Sequence, residues 1–251
     1  MASIAKIINT QIDDINTMYG IDKTNLVNLM GIDVEPTVEY TKLLLHFNDS
    51  YTDASSSNHS VTNNGNTFSN STKKLGSHST YFSGSSYLTL PDSDDWNVGS
   101  GEFTVDLWYR FTEDKFTCFV SQYTMGQNSN NGWNFAYRSD SHKLMFNYSN
   151  TGSNHTTKES AVWNPTLDTW YHLALVRSGD TYIFFADGQN IGSGALTGTI
   201  YDSSRSLFIG SNDYNFSTGG YWYPHGYMDE LRIVKGVAKW TSNFTPPTSE
   251  Y

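Results

Sequence analysis

The chain has 251 residues and a formal charge of −10 at pH 7, which excludes nucleic-acid binding as its main role, because phosphate backbones are bound by basic patches. Aromatic residues make up 15% of the chain and charged residues 16%, and this balance predicts a folded all-β protein and excludes a disordered one. The length allows one large β domain and a small extension.

The first part of the chain, residues 1–35, is a degenerate repeat. DINTMYGID at 14–22 aligns with NLVNLMGID at 25–33, and SIAKIINTQ at 3–11 is a weaker copy. Apolar residues at i, i+3 and i+4 in each copy predict three short helices with one apolar face each. Such short helices are marginal alone, so we expect their apolar faces to pack against each other, against the β domain or against another protein. No basic and apolar leader is visible, and we expect synthesis in the cytoplasm without a signal peptide.

The dipeptide Glu35-Pro36 marks a domain boundary, because the residue before a proline is disfavoured in a helix. We therefore divide the chain into a helical element at 1–36 and a β domain at 41–251. In the stretch 101–111, alternate residues share a face that we expect to line a core between two sheets: Phe103, Val105, Leu107, Tyr109 and Phe111. The opposite face is expected to point outward or to lie beneath a loop: Thr104, Asp106, Trp108 and Arg110.

The stretch TWYHLALVRSGDTYIFFADG at 169–188 predicts two central strands joined by a turn at Ser178-Gly179-Asp180. Both faces of its first strand are largely apolar, which predicts a strand that is covered on both sides. No apolar run is long enough to span a membrane, so we expect no membrane insertion. The one cysteine, Cys118, excludes an intrachain disulfide, and we expect it to be a small buried strand residue.

Five stretches resemble, in order, the laminin-G-like domains of the concanavalin A-like jelly-roll superfamily: LLLHFNDS (43–50), YFSGSSYLTLP (81–91), GEFTVDLWYRF (101–111), the central hairpin (169–194) and GYMDELRIVKGVAKWTSNFTPP (226–247). The resemblance implies an all-β, two-sheet antiparallel jelly roll with a small α-helical element before it. The last stretch, which ends in WTSNFTPP, resembles modules of bacteriophage virion proteins. Related modules follow short Ile/Gly repeats, so the resemblance also implies that residues 1–36 dock on other virion proteins.

The residues do not favour catalysis. The retaining glycoside hydrolases of this superfamily resemble Glu-x-Asp-x-x-Glu, which sets carboxylates on one strand face, and no such stretch occurs here. Glu102 and Asp106 share a face but lie four residues apart with Thr104 between them. We expect Asp106 to be bonded near Arg110, and we expect no enzyme activity.

Calcium is the cofactor that the resemblance implies, because the family often holds a structural Ca²⁺ between the first long loop and the last strand. Its ligands here would be Asp49, Asp53 and Asp229 with a backbone carbonyl, which are the oxygen donors that a hard cation prefers. On the residues alone, Asp49 and Asp53 can instead form turns, and Asp229 can pair with Arg232. The family's fuller acidic loop is replaced by SSSNH at 55–59.

Clustered aromatic and amide side chains offer a sugar-binding site, because sugars stack on rings while amides and carboxylates bond their hydroxyls. The first set lies in a predicted loop: Asn212, Asp213, Tyr221, Trp222 and Tyr223. A second possibility is Trp133 between Asn131 and Asn134. Alternatively, the loop rings cover an edge of the sandwich or form a subunit interface.

Taken together, the sequence predicts a non-enzymatic bacteriophage virion structural protein, such as a capsid decoration, a head fibre or a tail appendage. It would display a lectin-like jelly roll outside the particle, with host-surface glycan as a ligand. We expect a homo-oligomer located in the virion. The alternative is a soluble carbohydrate-binding lectin module that works outside any virion.

Overall fold

The computed structural model describes residues 40–124, 129–212 and 223–251. The chain divides into two compact units, Met1–Thr37 and Val38–Tyr251, and the description concerns the second. The predicted helical element at 1–36 lies outside the described residues. In the described ranges there are fifteen strands and one short 3₁₀ turn at Asp94–Trp96, and no helix there is long and apolar enough to cross a membrane.

The first sheet has eight strands: β1 (Thr41–Leu45), β3 (Thr67–Ser69), β4 (Ser79–Ser83), β6 (Phe103–Phe111), β11 (Trp170–Ser178), β12 (Thr181–Ala186), β13 (Gln189–Ala195) and β15 (His225–Lys235). Their order is β13-β12-β11-β6-β15-β4-β3, and β1 also pairs with β15. Neighbouring strands are antiparallel throughout.

The second sheet has seven strands: β2 (Thr62–Asn64), β5 (Tyr87–Leu90), β7 (Thr117–Ser121), β8 (Trp133–Arg138), β9 (Lys143–Tyr148), β10 (Thr156–Glu159) and β14 (Leu207–Ile209). Their order is β10-β9-β8-β7-β14-β5-β2, again antiparallel. The predicted two-sheet antiparallel jelly roll is therefore confirmed.

One hydrophobic core fills the space between the sheets. All five predicted core residues of β6 are fully buried in it: Phe103, Val105, Leu107, Tyr109 and Phe111. Phe135 and Phe146 of the second sheet belong to the same cluster. Cys118 is also fully buried, as predicted, and burial raises the pKa of its thiol. The period-two pattern of the sequence therefore predicted which faces meet.

The central strand β11 is covered on both faces, as predicted. Leu173 and Leu175 point into the core between the sheets, whereas Ala174 and Val176 belong to a second apolar cluster on the outer face. The cover of this second cluster comes from the segment that follows β15: Ala238, Trp240 and Phe244. The rings of Trp240 and Phe244 are stacked with centroids 3.9 Å apart. The segment at 236–251, here called the tail, thus closes the outer face of the first sheet.

A β-bulge interrupts β15. The register with β6 shifts between Asp229 and Arg232, and Glu230 has a φ of 51°. Met228 and Leu231 both belong to the core cluster, so the two residues between them are left on the outer side of the strand. The bulge therefore sets two consecutive carboxylates, Asp229 and Glu230, on the same outer face.

Candidate functional site

A single row of side chains crosses the outer face of all seven strands of the second sheet. Register pairs its members directly from strand to strand: Thr62, Thr89, Phe208, Ser121, Asn134, Asn147 and Thr157. They alternate with core residues such as Leu88 and Phe135, so they face away from the core. This outer row contains hydroxyls, amides and one aromatic ring, and none of its side chains is charged.

The side chains of the outer row are exposed at its two ends and buried in its middle. Thr62 and Thr157 are exposed and Phe208 is half-buried, whereas Asn134 and Asn147 are buried. Thr157 Oγ1 donates to Asn147 Oδ1 at 2.7 Å, and the backbone N–H of Asn147 donates to Asn134 Oδ1 at 3.3 Å. The row is therefore held in register by its own side chains as well as by the strands.

Two buried amide donors on this side of the molecule lack an acceptor. Nδ2 of Asn134 and Nδ2 of Asn212 make no hydrogen bond, although the two residues are 0% and 4% exposed. A buried donor without a partner costs about 1–3 kcal/mol, so such groups are uncommon unless a ligand or water completes them. The Asn134 side chain lies on the outward-facing parity of β8.

Three half-buried rings lie at one end of the outer row. The ring centroid of Tyr87 is 5.9 Å from that of Phe208 and 6.4 Å from that of Tyr223. Asn64 lies opposite Tyr87 in the register, and its Nδ2 donates to Thr89 Oγ1 at 3.4 Å. Burial raises the pKa of Tyr223, so its phenol stays protonated at neutral pH. Rings beside amides and hydroxyls are the combination that binds sugars.

Only part of the predicted sugar site reaches this region. Tyr223 belongs to the ring group, and Asn212 follows closely after β14. Asp213, Tyr221 and Trp222 lie outside the described residues.

The prediction for Trp133 is wrong. Its side chain is 1% exposed, and its Nε1 donates to the carbonyl of Trp96 at 3.0 Å within the core. Trp133, Phe135 and Tyr137 share the inward parity of β8, while Asn134 takes the outward position. That alternation was visible in the sequence, and it was the signal that places Asn134, and not Trp133, on the outer face of the sheet.

The outer face of the first sheet carries charges beneath the tail. Asp106 accepts from Arg232 Nε at 3.0 Å and Arg232 Nη2 at 3.1 Å, and it also contacts His172 Nε2 at 3.3 Å and the Tyr251 hydroxyl. Burial acts to raise the pKa of Asp106, but Arg232 and His172 outweigh it and hold that pKa well below its usual value. The predicted bond to Arg110 is wrong, since Arg110 pairs with Asp168 at 2.9 Å.

The three predicted calcium ligands are not gathered by the fold. Asp53 uses both oxygens to hold its own loop, accepting from the backbone N–H groups of Leu44, Ser55 and His59 and from Ser55 Oγ. Asp49 is exposed with a φ of 56°, as a turn residue is.

The carboxylate of Asp229 has partners at one oxygen and none at the other. Its Oδ2 accepts from the backbone N–H groups of Lys74 and Leu75 at 2.8 and 3.0 Å, so it does not pair with Arg232. Its Oδ1 has no partner although the residue is fully buried. Burial raises the pKa of this carboxyl to about 7.

A different group of ligand-type side chains meets beside the bulge. Within the three described ranges, the one set of at least three whose ligand atoms lie within 4.8 Å of one another is His46, Glu230 and Glu250. The hydrogen bond to Glu230 raises the pKa of His46. Sequence reasoning missed this group, because His46 and Glu230 lie 184 residues apart. The available signal was the polar pair Asp229-Glu230 between two apolar residues, which breaks strand alternation and indicates a bulge.

Residues 82–241 match the model of the Laminin_G_3 family, which is described as the concanavalin A-like lectin/glucanases superfamily. No curated protein matches the chain.

Solved structures with the same fold include domain 4 of AbnA, a GH43 extracellular arabinanase from Geobacillus stearothermophilus, solved in complex with arabinotriose. The identity is 19% and the TM-score 0.58, over 79% of this chain and 93% of that domain. The binding domain of Paraclostridial Mosquitocidal Protein 1 has an identity of 11% and a TM-score of 0.60. The binding domain of botulinum neurotoxin serotype D has an identity of 12% and a TM-score of 0.59. Each of these two alignments covers 80% of this chain and 50% of the toxin domain. This chain therefore spans about half the length of either toxin domain. At these identities the likeness concerns the fold alone.

Proposed function

The chain belongs to the concanavalin A-like lectin/glucanases superfamily, and from that premise we propose that its jelly roll is a non-catalytic carbohydrate-binding module. The observation that carries the proposal is the outer row, an uncharged band of hydroxyls and amides with three half-buried rings at one end. The complex of the arabinanase domain with arabinotriose supports it by analogy of fold.

Binding would begin at the ring end of the outer row. A sugar ring stacks its C–H face on Phe208 and Tyr87, while its hydroxyls bond the amide of Asn64 and the hydroxyl of Thr89. Toward the middle, the unpartnered Nδ2 of Asn134 offers a donor at the floor, reached directly by a hydroxyl or through one ordered water.

The chemistry of the outer row favours neutral sugars. Its seven members include no lysine, arginine or histidine, whereas carboxylated sugars are bound by charge-assisted bonds to a cation. The chain's own charge of −10 also repels an anionic glycan. We therefore favour uncharged oligosaccharides over sialylated or uronic-acid glycans.

The carboxylate pair that the sequence offers does not serve this face. Asp106 is fully buried on the other sheet and paired with Arg232, and Glu102 accepts from Ser178 Oγ at 3.4 Å and from the backbone N–H of Ala238. Glycoside hydrolysis needs two carboxyls facing one sugar. This favours a binding module over an enzyme.

We further propose that the module is displayed on a bacteriophage particle as a homo-oligomer, with residues 1–36 docking on other virion proteins and the sugar face directed at host-surface glycan. The support is the sequence resemblance of 226–247 to modules of virion proteins and the repeat at the start of the chain. A structural Ca²⁺ at Asp229 is also a proposal. The unpartnered Oδ1 of Asp229 favours it, and the saturated carboxylate of Asp53 argues against it.

The glycan proposal is tested on an array of neutral and acidic oligosaccharides that includes arabinotriose, followed by titration calorimetry with the best ligand. Tyr87→Ala should weaken binding by at least about fivefold, roughly 1 kcal/mol. Tyr81→Ala is the matched control, because Tyr81 is also half-buried but lies on the outer face of the other sheet. Its ring centroid is 4.9 Å from that of Tyr227. No binding to any neutral sugar, or equal losses in the two variants, would contradict the proposal.

A further inference from the structure

Three side chains from separate parts of the chain meet at the bulge of β15: His46 after β1, Glu230 in the bulge and Glu250 in the tail. Nδ1 of His46 lies 2.8 and 3.0 Å from the two carboxylate oxygens of Glu230. One ligand atom from each of the three lies within 4.8 Å of the other two. A tetrahedral ion with bonds of about 2.0–2.2 Å holds its ligand atoms roughly 3.3 Å apart, so small side-chain shifts suffice to surround one.

The second observation is an unsatisfied buried carboxylate oxygen beside this group. Asp229 and Glu230 are consecutive, fully buried and on the same face, and Oδ1 of Asp229 has no hydrogen-bond partner. The guanidinium of Arg232 is directed at another carboxylate, Asp106. Adjacent buried carboxyl groups are costly to ionise unless a cation balances them, and an ion bound at the group would lie beside both.

Groups outside the cluster already orient its carboxylates. The backbone N–H of Tyr251 donates to Glu230 Oε2 at 3.3 Å, and Nδ2 of Asn48 donates to Glu250 Oε1. Asn48 is itself fixed, because its Oδ1 accepts from the backbone N–H groups of Ser77 and His78. Second partners of this kind hold the ligands of metal sites in position.

We propose that His46, Glu230 and Glu250 form a binding site for a divalent transition metal of the Zn²⁺ class, with a water as the fourth ligand. An imidazole nitrogen with carboxylates suits Zn²⁺, whereas Ca²⁺ takes six to eight oxygens. The site uses neither Asp49 nor Asp53, and it is independent of the sugar-binding face. A bound ion fastens the end of β1, the bulge and the tail to one another.

The test is equilibrium dialysis of the full chain against micromolar Zn²⁺, with the metal measured by atomic absorption. We expect one tightly bound Zn²⁺ per chain, and at least about a tenfold loss of affinity in His46→Gln and in Glu250→Gln. His59→Gln is the matched control, because its Nε2 also pairs with a carboxylate, that of Asp95 at 2.9 Å, but is not part of a group of three. It should bind Zn²⁺ as the original chain does.

Glu230→Gln is measured as well, with circular dichroism as a check of folding, since Glu230 is fully buried. His46 and Glu250 are half-buried and exposed, so their variants keep the test independent of folding. Absence of bound Zn²⁺, which would mean an ion pair only, overturns the proposal. Equal Zn²⁺ affinity in His46→Gln and the original chain also overturns it, as does displacement of Zn²⁺ by an equal concentration of Ca²⁺.

Discussion

The two outer faces of the sandwich are built on the same alternation but are used differently. On the first sheet the outer face is charged and apolar, and the tail covers it with Trp240, Phe244 and Tyr251. On the second sheet the outer row is uncharged, and the three rings at one end of it are half-buried. We therefore expect the first face to stabilise the fold and propose the second as the face that binds a ligand.

Removing Asp106 should give the largest loss of stability. Asp106→Asn breaks the buried pair with Arg232, and breaking such a pair costs about 3–5 kcal/mol because a charge stays behind in the interior. Asp140→Asn is the control, since Asp140 is largely exposed and pairs with Arg138, and it should cost less than about 1 kcal/mol. Urea unfolding measures both. Equal midpoints would refute a stabilising role for the covered face.

The same pair predicts an acid-labile fold. Because Arg232 and His172 hold the pKa of Asp106 below its usual value in the folded state, the pair stabilises the fold fully above the unfolded pKa of about 4. That contribution is lost as the pH falls from about 4 through the folded pKa. Urea midpoints measured from pH 7 to pH 3 should therefore fall more steeply for the original chain than for Asp106→Asn. Parallel curves would mean that other carboxylates dominate.

Two phenylalanines, one on each outer face, allow a direct comparison of how much each face contributes to stability. Phe244 and Phe208 are both half-buried, but Phe244 covers the second apolar cluster whereas Phe208 belongs to the outer row. Phe244→Ala should lower the free energy of unfolding by about 2 kcal/mol and increase dye binding to exposed apolar surface, while Phe208→Ala should cost under about 1 kcal/mol. Thermal denaturation and dye fluorescence check this. The opposite order would reverse the roles assigned to the faces.

Deleting residues 1–36 should have the smallest effect on the stability of the β domain, because the repeat precedes a proline boundary and differs in pattern from the strands. It should instead abolish incorporation into particles or assembly with a larger partner. Melting curves and co-sedimentation with particles are the two measurements. Normal incorporation of the shortened chain would refute docking through this segment.

Alternation along the strands was enough to predict the inward face of β6 and the double cover of β11, since each depends on residues close in sequence. The two-sheet jelly roll was predicted from the resemblance of five stretches to a known family. The partner of Asp106 was not predictable in this way, because Arg232 lies 126 residues further on and Arg110 offered a nearer cation. The position of Trp133 was misjudged because its asparagine neighbours suggested a sugar-binding site, although Phe135 and Tyr137 share its parity.

The candidate sites depend even more on long-range register. The outer row joins seven strands, and its existence follows from pairings that no local pattern specifies. Similarly, His46 and Glu230 meet only because β1 pairs with β15 beside the bulge. Residue types led to the proposed chemistry, amides and rings for sugar and carboxylates for cations, but they did not indicate which members of each type would meet.

The most direct test of sugar binding at the outer row is a ¹⁵N–¹H NMR titration of the labelled chain with the neutral oligosaccharide selected on the array. The account predicts shifts in the side-chain amide of Asn134 and in the backbone amides of Tyr87, Thr89 and Phe208. The amides of β11 and β12 beneath the tail should not move. Shifts confined to those two strands, or binding without any change at Asn134 and Phe208, would contradict the assignment.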